Sequence, residues 1–290
     1  MSARDLLFGR KPAAAEFHAA PCDCSCDGDP GPLPYPASTP PLAWRPDGPV
    51  LDLHVADKRD DARCLLHDVR LRVAAGEVVS LMGASGCGKG SLLRIVAGLD
   101  RDYTGGVRLD GLVRHGPSRS VGFVFQEPRL FPWLTVADNV AFEAGGAGHH
   151  DERVCALLKE VGLHGFEQAL PRQLSAEQSL RVALARALHG APRVLLLDEP
   201  FRAVDAFARM KLQEVLSSLV RRHGVATLVV THDVDEAIAL SDRIVVLEAD
   251  PGRVREDVAV AAERPRDPAG AGFAELRARV LRALHAAHAI

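Results

Sequence analysis

The sequence predicts an α/β fold, a mostly parallel sheet covered by helices. Three observations carry that expectation. From Val50 onward, short β-rich apolar runs alternate with amphipathic helical stretches. A glycine-rich loop, Gly83 to Lys89 (GASGCGK), sits directly between an apolar run and a helical one. A second apolar run, residues 194–197, ends in the paired acids Asp198 and Glu199. Strand and helix in alternation call for crossover connections, hence parallel pairing with helices on the sheet faces.

Taken in order, residues 51–55 and 69–73 read as strands with one exposed face, and 77–82 as a buried strand entering the glycine loop. Residues 89–97 form the helix leaving it, and 107–109 and 121–125 add two strands. Helices dominate 136–188, where Val154, Leu157, Leu158 and Val161 repeat at helical spacing. Then come a strand at 194–197, a helix at 206–222, a strand at 226–230, a helix at 234–240 and a strand at 244–247. A final helix spans 273–287, with Leu276, Val280, Leu281 and Leu284 on one face.

Composition narrows the function. The 290 residues are ample for a buried core without staples, and 35 basic against 38 acidic residues, a net charge of −3, exclude the positive footprint of a nucleic-acid binder. The longest apolar runs fall far short of the roughly 18–20 residues that cross a bilayer. Arg4, Arg10 and Lys11 are followed by a run broken by Glu16 and His18, so no signal segment is expected and the reading is an intracellular protein with free thiols at Cys64, Cys87 and Cys155. Residues 1–48 are proline-rich and predict a disordered extension; Cys22, Cys24 and Cys26 within it are spaced too closely for the usual zinc patterns.

In the strand–loop–helix context, Gly83, Gly86 and Gly88 let the backbone curl so that successive N–H groups of Ala84, Ser85, Cys87 and their neighbours point at phosphates, while Lys89 supplies a point charge. The pattern asks for Ser or Thr after the lysine, as a Mg²⁺ ligand; here Gly90 stands there and Ser91 follows, turned by about 100° on a helix. At the C-terminal edge of a buried strand, Asp198 suits a metal and Glu199 the orientation of an attacking water.

Five segments in order now point to a family. The glycine loop, Gln126 after an apolar strand, PRQLSAEQSLRVALARAL at 171–188, LLLDEPFRAVDA at 195–206 and VVTHDVDEA at 229–237 together resemble the ATP-binding subunit of ABC transporters, over residues 50 to about 262. The resemblance implies a P-loop NTPase of RecA-like type, with an antiparallel β subdomain, a helical insertion at about 127–188 inside a domain spanning 49–262, and a C-terminal helical extension at 263–290. It implies ATP and Mg²⁺ as cofactors. Gln126 would sense the γ-phosphate and Mg²⁺, and Asp198 would hold the metal. Glu199 and His232 would support hydrolysis, and Asp205 would couple two sites across a dimer. Leu174, Ser175, Ala176, Glu177 and Gln178 would cap the nucleotide of the partner subunit. Residues 129–136, with Phe131 and Trp133, would receive a cytoplasmic helix of a membrane permease, unless those rings are local core.

The stretch LFPWLTVADNVAF at 130–142 and RPRD at 264–267 look most like importers of nitrate, taurine or aliphatic sulfonates. That implies permease subunits, a second ATP-binding subunit (identical or not), an indirect solute-binding protein, and a place on the cytoplasmic face of the inner membrane. Three departures from the family pattern stand out: Gly90 and the signature LSAEQ in place of LSGGQ oppose turnover, and the absence of any aromatic ring between Leu51 and Leu81 to stack on adenine weakens nucleotide binding. Glu177 is expected to face the trans phosphate, where like charges about 4 Å apart cost on the order of 4 kcal/mol at an effective dielectric of 20. The alternative expectation is therefore a nucleotide-binding or scaffolding subunit with weak or no ATPase activity.

Overall fold

The computed structural model describes residues 48–61, 63–145, 148, 151–264 and 266–288; the proline-rich extension through residue 47, with Cys22, Cys24 and Cys26, lies outside the described residues. In chain order the elements are β1 (Leu51–Asp60), β2 (Arg63–Val73), β3 (Val78–Gly83), α1 (Lys89–Val96), β4 (Thr104–Leu109), β5 (Leu112–Arg114), β6 (Val121–Val124), α2 (Val136–Val140), α3 (Glu152–Glu160) and α4 (Ala176–His189). They continue with β7 (Val194–Asp198), α5 (Ala206–His223), β8 (Ala226–Val230), α6 (Val234–Leu240), β9 (Arg243–Glu248), β10 (Arg253–Ala259) and α7 (Ala271–His288).

Two sheets form among the described residues. The larger runs β10-β9-β3-β8-β7-β6, parallel throughout except for β10, which lies antiparallel on the β9 edge. Its parallel strands are apolar at most positions because both faces are covered. Leu195, Leu197 and Val229 pack toward α2, α3, α4 and α5. Their sequence neighbours Val194, Leu196, Leu228 and Val230 pack toward α1 and the smaller sheet. That sheet, antiparallel in the order β2-β1-β4-β5, buries Leu51, Leu53 and Val55 on alternate positions, as a one-sided strand must. Arg193 donates through Nε and Nη2 to the two carboxylate oxygens of Asp110 at 2.9 and 2.8 Å, tying the β4–β5 turn to the start of β7.

The expected α/β architecture holds, with three differences. β5 and β10 were not foreseen: β5 is three residues long with Leu112 and Val113 exposed, and β10 (RVREDVA) is a mostly polar edge strand, so neither bears the apolar signature of a covered strand. The inward face of α7 is Phe273, Val280, Ala283 and Ala287, with Leu276 and Leu284 against it. Leu281, expected on that face, is 38% exposed, because one residue beyond Val280 turns the side chain about 100° away. No described helix is long and apolar enough to cross a membrane.

Candidate nucleotide site

β3 delivers Gly83 to the edge of the large sheet, and the chain turns through 84–88 into α1. Gly88 caps the helix in the left-handed region (φ 94°), and a Cβ there would lie 2.3 Å from Leu66 Cδ2, so both conformation and room require glycine. No side chain caps the first turn of α1, which leaves its N–H groups available to an anion. The Lys89 ammonium donates to the carbonyls of Gly83 and Ala84, both at 2.8 Å, and lies 3.7 Å from Cys87 Sγ. The loop thus folds around its own cation. Ser85 and Gly86 are exposed, whereas the Cys87 side chain is buried in the core and is no part of the cradle. Gly90 differs from Gly88: a Cβ would meet nothing within 4 Å. Ser91 is half-buried on the next position of the helix.

Opposite this loop β7 ends at Asp198. Burial, and then the neighbouring Glu199 charge, push the Asp198 carboxyl above its ordinary value, with Arg94, Lys89 and Arg129 pulling the other way. Glu199 has a positive φ of 44°, held by its N–H donating to Val230 O at 2.9 Å. A glutamate in that region is strained by about 1–3 kcal/mol, a cost that concentrates at functional positions. Its Oε2 lies 3.3 Å from Arg202 Nη1 and 3.6 Å from His232 Nδ1. His232 itself is 66% exposed, at the end of β8. The next residue, Asp233, caps α6 and accepts from Arg209 of α5 at 2.8 Å. Asp205 caps α5, accepting from the N–H groups of Phe207 and Ala208. Lys89, Asp198, Glu199 and His232 therefore gather at one edge of β3, β7 and β8, and Gln126 follows β6 as an exposed residue.

Leu174 to Gln178 are elsewhere. Ser175 is the N-cap of α4: its Oγ accepts from Gln178 N at 3.1 Å while Gln178 Oε1 accepts from Ser175 N at 2.9 Å. Among the described residues no hydrogen bond or ion pair joins this segment to the phosphate loop. Leu174 and the exposed Ala176 flank the cap. Glu177 does not project as a free carboxylate. Arg181, one turn on, donates through Nε and Nη2 to Glu177 Oε1 at 3.1 and 2.6 Å, and its Nη1 donates to Val161 O. The carboxylate expected to face the trans phosphate thus carries a counter-charge from its own helix, an i,i+4 pair.

Of the rings in the 130–142 stretch, Trp133 and Phe142 are exposed and Phe131 is half-buried. Trp133 is 73% exposed, and Phe131 packs against Phe142 with the rings tilted, at 4.1 Å between centroids. What shapes them is Asn139, which went unnoticed in the sequence: fully buried, it accepts from Phe131 N and donates to the carbonyls of Phe131, Leu134 and Thr135. Its only sequence signal is an amide on the buried side of α2. Arg186 of α4 completes the support by donating to the carbonyls of Pro128 and Arg129.

The ABC transporter family model matches residues 66–202. The chain is 52% identical over 240 residues to "Aliphatic sulfonates import ATP-binding protein SsuB 2" of Burkholderia cenocepacia, covering 83% of this chain and 89% of that protein. The chain belongs to the ABC transporter family. It is likewise 52% identical over 245 residues to SsuB 1 of Xanthomonas axonopodis pv. citri, covering 82% and 97%. Among solved structures, the dimeric ATP-binding cassette MJ0796 in a post-hydrolysis state with ADP and Pi matches 73% of this chain and 100% of its own, at 31% identity and a TM-score of 0.61. The chain is accordingly an ABC-type ATPase that binds nucleotide, with the P-loop NTPase fold.

Proposed function

We propose that this ATPase energises an importer of aliphatic sulfonates from the cytoplasmic face of the inner membrane, pairing with a second ATP-binding subunit on a permease fed by a solute-binding protein. The observation that carries the reading is half identity along nearly the whole length of import proteins named for that solute class. In this reading 49–262 is the ATP-binding domain, with the insertion at 127–188 and an extension at 263–290. Lys89 and the N–H groups of the loop bind the β and γ phosphates, Glu199 orients the attacking water, and His232 steadies the γ-phosphate. Gln126 links that edge to the insertion. The exposed Trp133, with Phe131 and Phe142 beside it, offers the permease helix an apolar seat.

Mg²⁺ fits the donor set. Asp198 and Glu199 set two acids side by side at a half-buried edge, and the open space at Gly90 admits a water where the hydroxyl is lacking. Asp198 and Gln126 would hold the ion, which when bound neutralises phosphate charge. The test is reconstitution with permease and solute-binding protein in vesicles. An alkanesulfonate should stimulate ATP hydrolysis, nitrate should not, and Glu199→Gln should lower the rate about 10²–10³-fold. No stimulation by an alkanesulfonate would reject the reading.

A further inference from the structure

The β1–β2 arm belongs to the sheet that carries none of the catalytic carboxylates, yet three of its side chains turn donor atoms toward a common point. Asp57 and His67 are directly paired across the antiparallel register. Cys64 and His67 are three residues apart, so a regular strand would send them to opposite faces. Here the register slips: Leu66 pairs with Lys58 and Cys64 with Arg59, which leaves Leu65 as the extra residue of a β-bulge. The insertion restores parity and brings Cys64 to the side of Asp57 and His67.

Cys64 Sγ lies 3.3 Å from Asp57 Oδ1, and His67 Nδ1 lies 3.9 Å from the same oxygen. All three donor atoms fall within 4.8 Å of one another, and each residue is half-buried. The other carboxylate oxygen, Oδ2, accepts from Arg59 Nε at 3.1 Å. One oxygen is thus anchored and the other presented, the arrangement in which an outer partner orients a metal ligand.

We propose that Asp57, Cys64 and His67 bind one Zn²⁺ ion, on the arm behind the phosphate loop. Sulfur, imidazole and carboxylate together select a borderline cation, and the set is a poor one for Mg²⁺ or Ca²⁺. Tetrahedral zinc with bonds of about 2.0–2.3 Å sets its donors about 3.3–3.6 Å apart. The present separations need only side-chain closure on the ion, with water in the fourth position. On binding, the thiol releases its proton to solvent. The arm is well placed to matter: Leu66, between Cys64 and His67, is the residue against which Gly88 packs, and His67 N donates to Gly252 O at 2.9 Å.

The test uses the full chain with Cys22, Cys24 and Cys26 all changed to serine, free of nucleotide, titrated with Co²⁺ as a spectroscopic substitute. One equivalent should bind, with thiolate-to-cobalt charge transfer in the near ultraviolet and tetrahedral bands in the visible, and Zn²⁺ should displace it. Cys64→Ser should abolish the charge-transfer band; His67→Gln and Asp57→Asn should each weaken binding at least about tenfold. Absence of the band in the serine background, or its survival in Cys64→Ser, would overturn the proposal. Far-ultraviolet circular dichroism checks folding, and were Cys64→Ser unfolded, unchanged affinity in both His67→Gln and Asp57→Asn would overturn it equally.

Discussion

Gly90 and Glu177 look alike in the sequence, as two lapses from one family pattern, and the structure separates them. Gly90 has an ordinary helical position with open space where a side chain would go, so nothing in packing demands glycine there. Glu177 is engaged: it sits in the first turn of α4, where an acid favours the helix dipole, and is held by Arg181. The pairing was legible, because residues four apart on a helix face each other; reading the signature as a local motif that ended at Gln178 hid it. The phosphate loop, by contrast, was legible residue by residue, since strand, glycines, lysine and helix are contiguous. We predict that Gly90→Ser raises ATP turnover about tenfold or more while Gly90→Ala does not, although alanine also strengthens the helix by about 1 kcal/mol. A phosphate-release assay on the two variants checks it. Equal rates would mean that the missing hydroxyl does not limit the reaction.

Among the elements, those covered on both sides declared themselves and those at the margins did not. β7 is apolar up to Asp198 and β8 is apolar but for the buried Thr227, because helices of the insertion cover one face and α1 the other. β5 and β10 lie at sheet edges, where mostly exposed side chains carry no apolar period. A different marginal feature belongs to α6, the helix that follows His232. Glu236, in its first turn, is buried, and its Oε1 has no hydrogen-bond partner. Burial, aided by Asp233 and opposed by the Thr231 hydroxyl, raises its carboxyl to about 7. A carboxyl raised on folding stabilises the fold fully below its unfolded value of 4.5; that contribution is lost as pH rises through about 7. The loss amounts to at most about 3 kcal/mol. Glu236→Gln cannot ionise, so its melting temperature should stay nearly level between pH 5 and pH 8, where the parent falls. Parallel melting curves for the two across that range would show that Glu236 ionises without cost.

At the scale of the molecule, the proposed dimer would complete each site with a segment of the partner subunit. The edge of β3, β7 and β8 gathers Lys89, Asp198, Glu199 and His232, while among the described residues no hydrogen bond or ion pair joins the capped start of α4 to it. A similar cassette is dimeric in its post-hydrolysis state, and in the proposed dimer the start of α4 would act on the nucleotide of the partner. On that proposal Arg181 would govern closure, through its pair with Glu177. With its guanidinium on Glu177, the signature would approach a triphosphate as a compensated pair; without it, the bare carboxylate would meet like charge, at a cost on the order of 4 kcal/mol per site before screening. In a Glu199→Gln background, where slow hydrolysis preserves the bound state, MgATP should shift the chain from monomer to dimer. Adding Arg181→Ala should weaken that dimer at least about tenfold, because two sites carry the penalty and screening leaves part of each. Adding Glu177→Ala to Arg181→Ala should restore it, since no charge then remains to repel. Light scattering across a concentration series distinguishes these outcomes. If Arg181→Ala dimerises as tightly as its parent, the carboxylate does not approach the partner's phosphates, and the signature change from glycine to glutamate is electrostatically neutral.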